Sequence, residues 1–307
     1  MKITIGSHVL SGMRAGYPLV ALETAVVTHG LPYPLNLQTI LGMEAAVREL
    51  AVIPVSIGVL SGEVVIGLTE AEIASLASAE SPMKVGVREL PLASLGVISG
   101  GTTVSATAYL AHRYGLAVLA TGGIGGVHRG ACNSFDISAD LTILGKTPIT
   151  VVSSGAKAIL DIGLTLEFME TQGITVAGYG TNIFPAFYAA GSPYRLALRL
   201  DSPMEVAKVA LARDELGLQS ALLITKPVST ALEIPWEELI SYVEQIEGEI
   251  KAAGVSGQDV TPQMLNRLCT ATADRTLQAN LSLLIENARL GAEIALAISA
   301  ERKRLHG

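Results

Sequence analysis

The sequence predicts a three-layer α/β/α sandwich around a mixed sheet, built as a single domain over residues 1–307. Three observations predict it. Short apolar runs alternate with longer segments of helical periodicity. Several of those runs are continuously apolar, as central strands covered on both faces are. Half of the 307 residues are hydrophobic but only 4% are aromatic, so the core is aliphatic, and 31 glycines suit tight turns between short elements.

Along the chain, strands are expected at 19–22, 55–60, 64–68, 116–120, 149–152, 174–177 and 221–225. Ser61-Gly62 joins two of them as a hairpin turn, which makes the sheet mixed. Amphipathic helices are expected over 37–50 and 235–253, and one long helix over 277–302. Thr69 with Glu72, and Ser202 with Glu205, fit the capping box, in which each side chain satisfies the other residue's free amide. Pro203 stands at a helix-starting position that tolerates proline. No low-complexity linker or repeat divides the chain.

Composition narrows the function. A net charge of −7 is not the basic footprint of a nucleic-acid binder. No uncharged apolar run reaches the length of a membrane span. The first twenty residues lack the apolar core and cleavage site of a signal peptide, so a cytoplasmic protein is expected. Cys132 and Cys269 belong to no CxxC pair and are expected as reduced structural thiols. The high mean hydropathy fits a sheet covered on both faces, with an oligomer interface as a further outlet.

Four segments place polar chemistry against the structural pattern. Glu23 interrupts the apolar run Val20-Ala-Leu-Glu23. An exposed edge position would explain it; the functional reading is a catalytic acid, because burial raises a carboxyl pKa and lets it donate a proton near neutrality. Thr121-Gly-Gly-Ile-Gly-Gly-Val-His128-Arg129-Gly130 follows an apolar run, and such a loop lets backbone amides approach an anion. His128 stands where the dinucleotide fingerprint needs Gly or Ala, which argues against that ligand; a purely structural turn is the alternative.

In Phe135-Asp136-Ile-Ser138-Ala-Asp140 the polar groups alternate, so an extended segment would turn all three to one side. Oxygen ligands of this kind suit Mn²⁺ or Mg²⁺, with a solvated strand face or a helix cap as the alternative. Lys157 is alone in the apolar stretch Val151-Val-Ser-Ser-Gly155-Ala-Lys157-Ala-Ile-Leu. A desolvated lysine is a nucleophile, a snorkelling one merely a surface residue. Lys84, in Met83-Lys-Val-Gly-Val, and the run Gly100-Gly-Thr-Thr-Val104 add weaker signals. The threonines there would cap the next helix, whose free amides would hold a phosphate.

Together these segments resemble the pseudouridine-5'-phosphate glycosidase family, also called the indigoidine synthase A family. The matching residues are Ala21-Leu-Glu23, Thr28-His-Gly-Leu-Pro32, Gly-Gly-Thr-Thr-Val, the glycine loop, Phe-Asp-Ile-Ser-Ala-Asp-Leu and Gly-Ala-Lys-Ala-Ile-Leu-Asp. The likeness continues through Pro185-Ala-Phe and Arg199-Leu-Asp to Ala279-Asn280-Leu, and so covers nearly the whole chain. It implies Glu23 as proton donor, Lys157 as Schiff-base nucleophile and Asp136 as the anchor of one Mn²⁺, held largely through water. It implies Ser138, Ala139, Asp140, Lys84 and Val104 at the substrate, with His128 and Asn280 near the pocket. It further implies an α/β/α sandwich assembled as a homotrimer. The reaction would be reversible cleavage of pseudouridine 5'-phosphate to uracil and ribose 5-phosphate. A nucleotide- or sugar-phosphate-binding regulator, or a Schiff-base lyase acting on another sugar phosphate, is the alternative.

Overall fold

The computed structural model describes residues 2–255 and 260–306. Its strands are β1 Lys2–Ile5, β2 Leu19–Leu22, β3 Ile53–Leu60, β4 Glu63–Ile66, β5 Met83–Val85, β6 Gly100–Thr102, β7 Val118–Ala120, β8 Val127–His128, β9 Thr150–Ser153, β10 Leu160–Asp161, β11 Thr175–Tyr179, β12 Arg199–Leu200 and β13 Leu222–Thr225. Its α-helices are α1 Ser7–Ala15, α2 Leu35–Arg48, α3 Glu70–Ala77, α4 Val104–Arg113, α5 Ala131–Ser134, α6 Ala139–Leu144, α7 Ile162–Thr171, α8 Pro203–Glu215, α9 Trp236–Ala252, α10 Val260–Ala271 and α11 Arg275–His306. Every strand expected from the sequence is present, with ends moved by no more than two residues.

The main sheet runs β1-β4-β3-β2-β7-β9-β13-β11-β12, with β6 on β3 and β5 on β6. From β3 to β12 every neighbour on that path is parallel. β3 meets β4 and β6 antiparallel, so the sheet is mixed as expected. The β3–β4 hairpin closes on Leu60 opposite Glu63. Its two turn residues, Ser61 and Gly62, both take positive φ, at 46° and 79°, the conformation whose twist matches a tight hairpin.

Helices cover both faces. Gly291 of α11 lies against Ala120, Val20 and Val118, so those side chains face α11, and α2 and α8 pack beside it. Side-chain alternation sends Ala21 and Leu119, paired across β2 and β7, to the opposite face, where α4 packs. All of these strand residues are fully buried. Both capping boxes form: Glu72 and Glu205 accept from the amides of Thr69 and Ser202, whose hydroxyls accept in return. No helix among the described residues is long and apolar enough to cross a membrane.

Candidate active site

Parallel strands put their C-terminal ends on one edge, where the following loops are free to carry a ligand site. β2, β7 and β9 are neighbours in register, with Leu22, Ala120 and Val152 side by side. The residues just beyond them are therefore brought together. Glu23 follows β2, Thr121 follows β7, and Lys157 lies four residues past β9. Gly155 makes the turn before Lys157 with φ +82°, and a Cβ there would sit 1.9 Å from the Pro185 carbonyl oxygen. Only glycine fits that approach.

A cavity of about 650 Å³ opens at this edge, with Glu23, Lys84, Lys157, Asn280, His29 and Gly122 on its walls. Glu23 is 8% exposed, and its Oε1 accepts a hydrogen bond from the Thr121 hydroxyl. Burial pushes the Glu23 carboxyl above its ordinary pKa; Lys157 opposes this most, followed by the Thr121 bond. Asp140 adds to the rise and Lys84 subtracts from it. Lys84 keeps solvent access, yet the protein around it lowers its pKa, with the charge of Lys157 as the next cause. Asp140 and Glu23 pull Lys84 the other way. His29 keeps solvent access, yet partial desolvation and then the charge of Lys84 lower its pKa, and its Nδ1 lies 2.7 Å from Thr28 Oγ1.

Four of the residues expected near the substrate, Glu23, Lys84, Lys157 and Asn280, thus line one cavity. The others do not line it. His128 senses Lys157 and Lys84, although burial is the largest cause of its lowered pKa and Asp136 opposes it. His128 Nδ1 lies 3.8 Å from Asp136 Oδ2. Val104 is buried at the first turn of α4. Ala139 is exposed at the start of α6.

The expected single-sided face of Asp136, Ser138 and Asp140 does not form. The extended stretch ends at Ser138, which caps α6 by accepting from the Asp140 amide at 3.2 Å. Asp140 is therefore helical, and both its oxygens are held by backbone amides: Ser105 N at 2.8 Å and Gly125 N at 2.9 Å. The amide at the first turn of α4, expected to hold a phosphate, thus meets the carboxylate of Asp140. Thr103 makes no capping bond with its side chain; its hydroxyl pairs with Ser105 Oγ at 2.9 Å. Gly125 leaves no room for a side chain, since a Cβ would come within 2.2 Å of Ser138 Oγ.

These contacts define what a cation would find. No three His, Cys, Asp or Glu side chains converge among the described residues, and Asp140 is committed to backbone amides. Asp136, 49% exposed, keeps a free carboxylate edge beside His128. That donor set does not fit a dehydrated cage; it fits a hydrated divalent ion held by one carboxylate.

Sequence reasoning missed several groups. Thr121 reads as part of a glycine loop, but its hydroxyl reaches Glu23. Cys132 and Cys269 are free thiols, yet neither is simply a core residue. Cys132 is exposed. Cys269 lines the cavity, its Sγ 3.3 Å from Asp274 Oδ1. Tyr188 stacks edge to face with Phe187, the last residue of the Pro185-Ala-Phe segment, on the same wall, and no local pattern marks the tyrosine.

The family described as Indigoidine synthase A like protein matches residues 8–297. A pseudouridine-5'-phosphate glycosidase of Saccharopolyspora erythraea is 44% identical over 295 residues, 96% of this chain and 97% of that protein. One of Paracoccus denitrificans is 46% identical over 284 residues, covering 92% and 93%. Among solved structures, an indigoidine synthase A-like protein from Thermotoga maritima superposes with a TM-score of 0.88 at 37% identity, covering 97% of both chains. The prealnumycin C-glycosynthase AlnA, solved with ribulose 5-phosphate, gives a TM-score of 0.91 at 32% identity over 99% of both chains.

Proposed function

The chain belongs to the indigoidine synthase A-like family, and on that premise we propose that it cleaves pseudouridine 5'-phosphate to uracil and ribose 5-phosphate, reversibly and through an imine on Lys157. The observation that carries the reading is the convergence of Glu23 and Lys157 on one cavity at the C-terminal edge of the parallel strands. The relatives named as glycosidases of this substrate support it. AlnA, a C-glycosynthase with a bound pentulose phosphate, supports chemistry at a sugar–carbon bond in this fold.

The bond to be broken is unusual. An ordinary glycoside leaves through a heteroatom that an acid protonates. Here carbon joins base and sugar. Glu23, its pKa raised by burial, gives its proton to the ring oxygen as the C1'–O bond opens, and conjugation with uracil spreads the electron deficit. The free amine of Lys157 bonds to C1', and the proton it then sheds returns to the Glu23 carboxylate. Glu23 passes that proton to the uracil carbon attached to C1'. The nitrogen lone pair forms the iminium as the C–C bond breaks, and its electrons restore the uracil ring. Water adds to the iminium, releasing the sugar aldehyde, regenerating the amine and returning the proton that this step sets free to Glu23. A carboxylate nucleophile has no lone pair of comparable donor strength for the cleavage step.

Lys84, Ser138, Ala139, Asp140, Val104, His128 and Asn280 are assigned to substrate binding in this reading, Asp140 and Val104 by shaping the wall behind it. A Mn²⁺ or Mg²⁺ on Asp136 would supply positive charge to the phosphate through its waters. The unbroken sheet and the packing of α11 over β2, β7 and β9 support one catalytic domain over 1–307. A homotrimer in the cytoplasm completes the proposal. Release of uracil from pseudouridine 5'-phosphate by the purified chain tests the function. No release from that substrate, with turnover of another sugar phosphate, would replace it with the lyase alternative.

A further inference from the structure

α11 is the helix that covers β2, β7 and β9, and one polar side chain on it is completely buried. Asn287 is 0% exposed. Its Nδ2 donates to the Thr121 carbonyl at 2.9 Å and to Ser154 Oγ at 3.1 Å, with the Gly122 carbonyl at 3.4 Å. Carbonyl oxygens only accept, so the orientation of the amide is fixed by chemistry. Its Oδ1 is buried with no hydrogen-bond partner among the described residues. A buried acceptor left unmade is a cost that an apolar side chain would avoid. The contacts this side chain does make are those of its donors.

What they hold is the pair of loops that bear the chemistry. Thr121 reaches Glu23 with its side chain while its carbonyl is held by Asn287. Ser154 stands three residues before Lys157, and its amide donates to the Gly122 carbonyl at 2.8 Å. We propose that Asn287 is a positioning residue for the reaction: one buried amide ties the loop after β7 to the loop after β9 and so sets Glu23 and Lys157 against each other. The inference rests on the proposed function and on the roles given there to those two residues.

The test is uracil release by Asn287→Ala, Thr121→Val and the double variant, with kcat and KM followed across pH and the folded state checked by thermal melting. A tie that acts through geometry costs turnover more than affinity, so kcat should fall about 10²-fold with a much smaller change in KM. Glu23 is faced by Lys157, Lys84, Asp140 and the Thr121 hydroxyl. Of these, Asn287 fixes Thr121 directly. Losing that alignment removes an influence that lowers the acid's pKa, so the alkaline limb of the rate profile should move to higher pH. Thr121→Val should move it the same way, and the double variant no further.

A folded Asn287→Ala enzyme with wild-type kcat and an unmoved limb overturns the inference, as does a limb shift that adds fully in the Thr121→Val background. Should Asn287→Ala not fold, Ser154→Ala removes one partner alone. A kcat loss with an intact fold then supports the tie, and unchanged kcat overturns it. A wild-type chain silent on pseudouridine 5'-phosphate overturns the proposed function and this inference with it.

Discussion

The hydroxyl of Thr121 donates to Oε1 of Glu23 across the adjacent ends of β7 and β2. This bond favours the charged form of a carboxyl whose pKa burial raises. Glu23→Gln keeps the size and the hydrogen bond but has no proton to give. Turnover should fall by about 10²–10⁴-fold, the usual contribution of a general acid. Near-normal turnover of the Glu23→Gln enzyme at neutral pH would assign the proton to another group.

The sign of the pH dependence follows. A general acid works while protonated, so the rate should fall as pH rises through the raised pKa of Glu23. Asp140 contributes to that rise. Asp140→Asn removes a negative charge, lowers the pKa of Glu23 and should draw the alkaline limb to lower pH, opposite to Thr121→Val. Profiles of kcat against pH for the two variants check this; limbs moving the same way would contradict it.

The nucleophile is tested by trapping. Borohydride added during turnover should fix the sugar phosphate to Lys157, and peptide mapping locates the adduct. Lys157→Arg should be inactive, because guanidinium stays protonated and does not attack. Lys84 is the control that matters: its pKa is lowered by the protein around it and by the charge of Lys157, and it lines the same cavity. Adduct on Lys84 in the wild type would exchange the two roles.

Gly155 bears on the same lysine through the backbone. A Cβ at this residue would meet the Pro185 carbonyl oxygen at 1.9 Å, in a left-handed turn. Gly155→Ala should destabilise the fold by more than the ~1–2 kcal/mol of the backbone conformation alone and should lower kcat by displacing Lys157. Thermal melts and kinetics of the purified variant measure both. A variant as stable and active as wild type would show that the loop relaxes freely.

The sequence exposes its chemistry where polarity breaks an apolar pattern and hides it where the backbone changes period. Glu23 and Lys157 stand out because each interrupts an apolar run, and both reach the cavity. Asp136, Ser138 and Asp140 keep a spacing of two, but the helix beginning at Ala139 turns the last of them away to hold the amides of Ser105 and Gly125. The alternation that predicts one shared face stops where that helix starts. Asn287 follows Leu284 by one helical turn inside a buried stripe with Ala288 and Gly291, a signal of the same kind as Glu23, hidden by the polar residues around it on a long helix. β5 and β6, three residues each, are too short for periodicity to show, and β6 is mostly glycine. Yet β5 presents Lys84.

Asp136 and Asp140 separate binding from architecture. Asp136 is exposed, with a carboxylate edge free beside His128, so its removal leaves the fold largely untouched. If it holds a hydrated cation near the phosphate, ground state and transition state lose the same contact. KM for pseudouridine 5'-phosphate should then rise more than kcat falls. Chelation of the wild type should copy that defect, and added Mn²⁺ should rescue the chelated wild type far better than Asp136→Ala. Lys84→Ala tests the cationic side of the site and should also act mainly on KM.

Asp140 is 7% exposed and its two oxygens each take a backbone amide. Asp140→Ala strands those amides in the interior, and hydrogen bonds to a charged group are worth about 1.5–3 kcal/mol each. Its signature is therefore a lowered melting temperature that Mn²⁺ does not restore. Denaturant melts of both variants, with and without metal, separate the two. A pure kcat loss in Asp136→Ala at intact KM would place the cation in the chemical step, and an unaltered melt for Asp140→Ala would show that its two bonds do not hold the glycine loop.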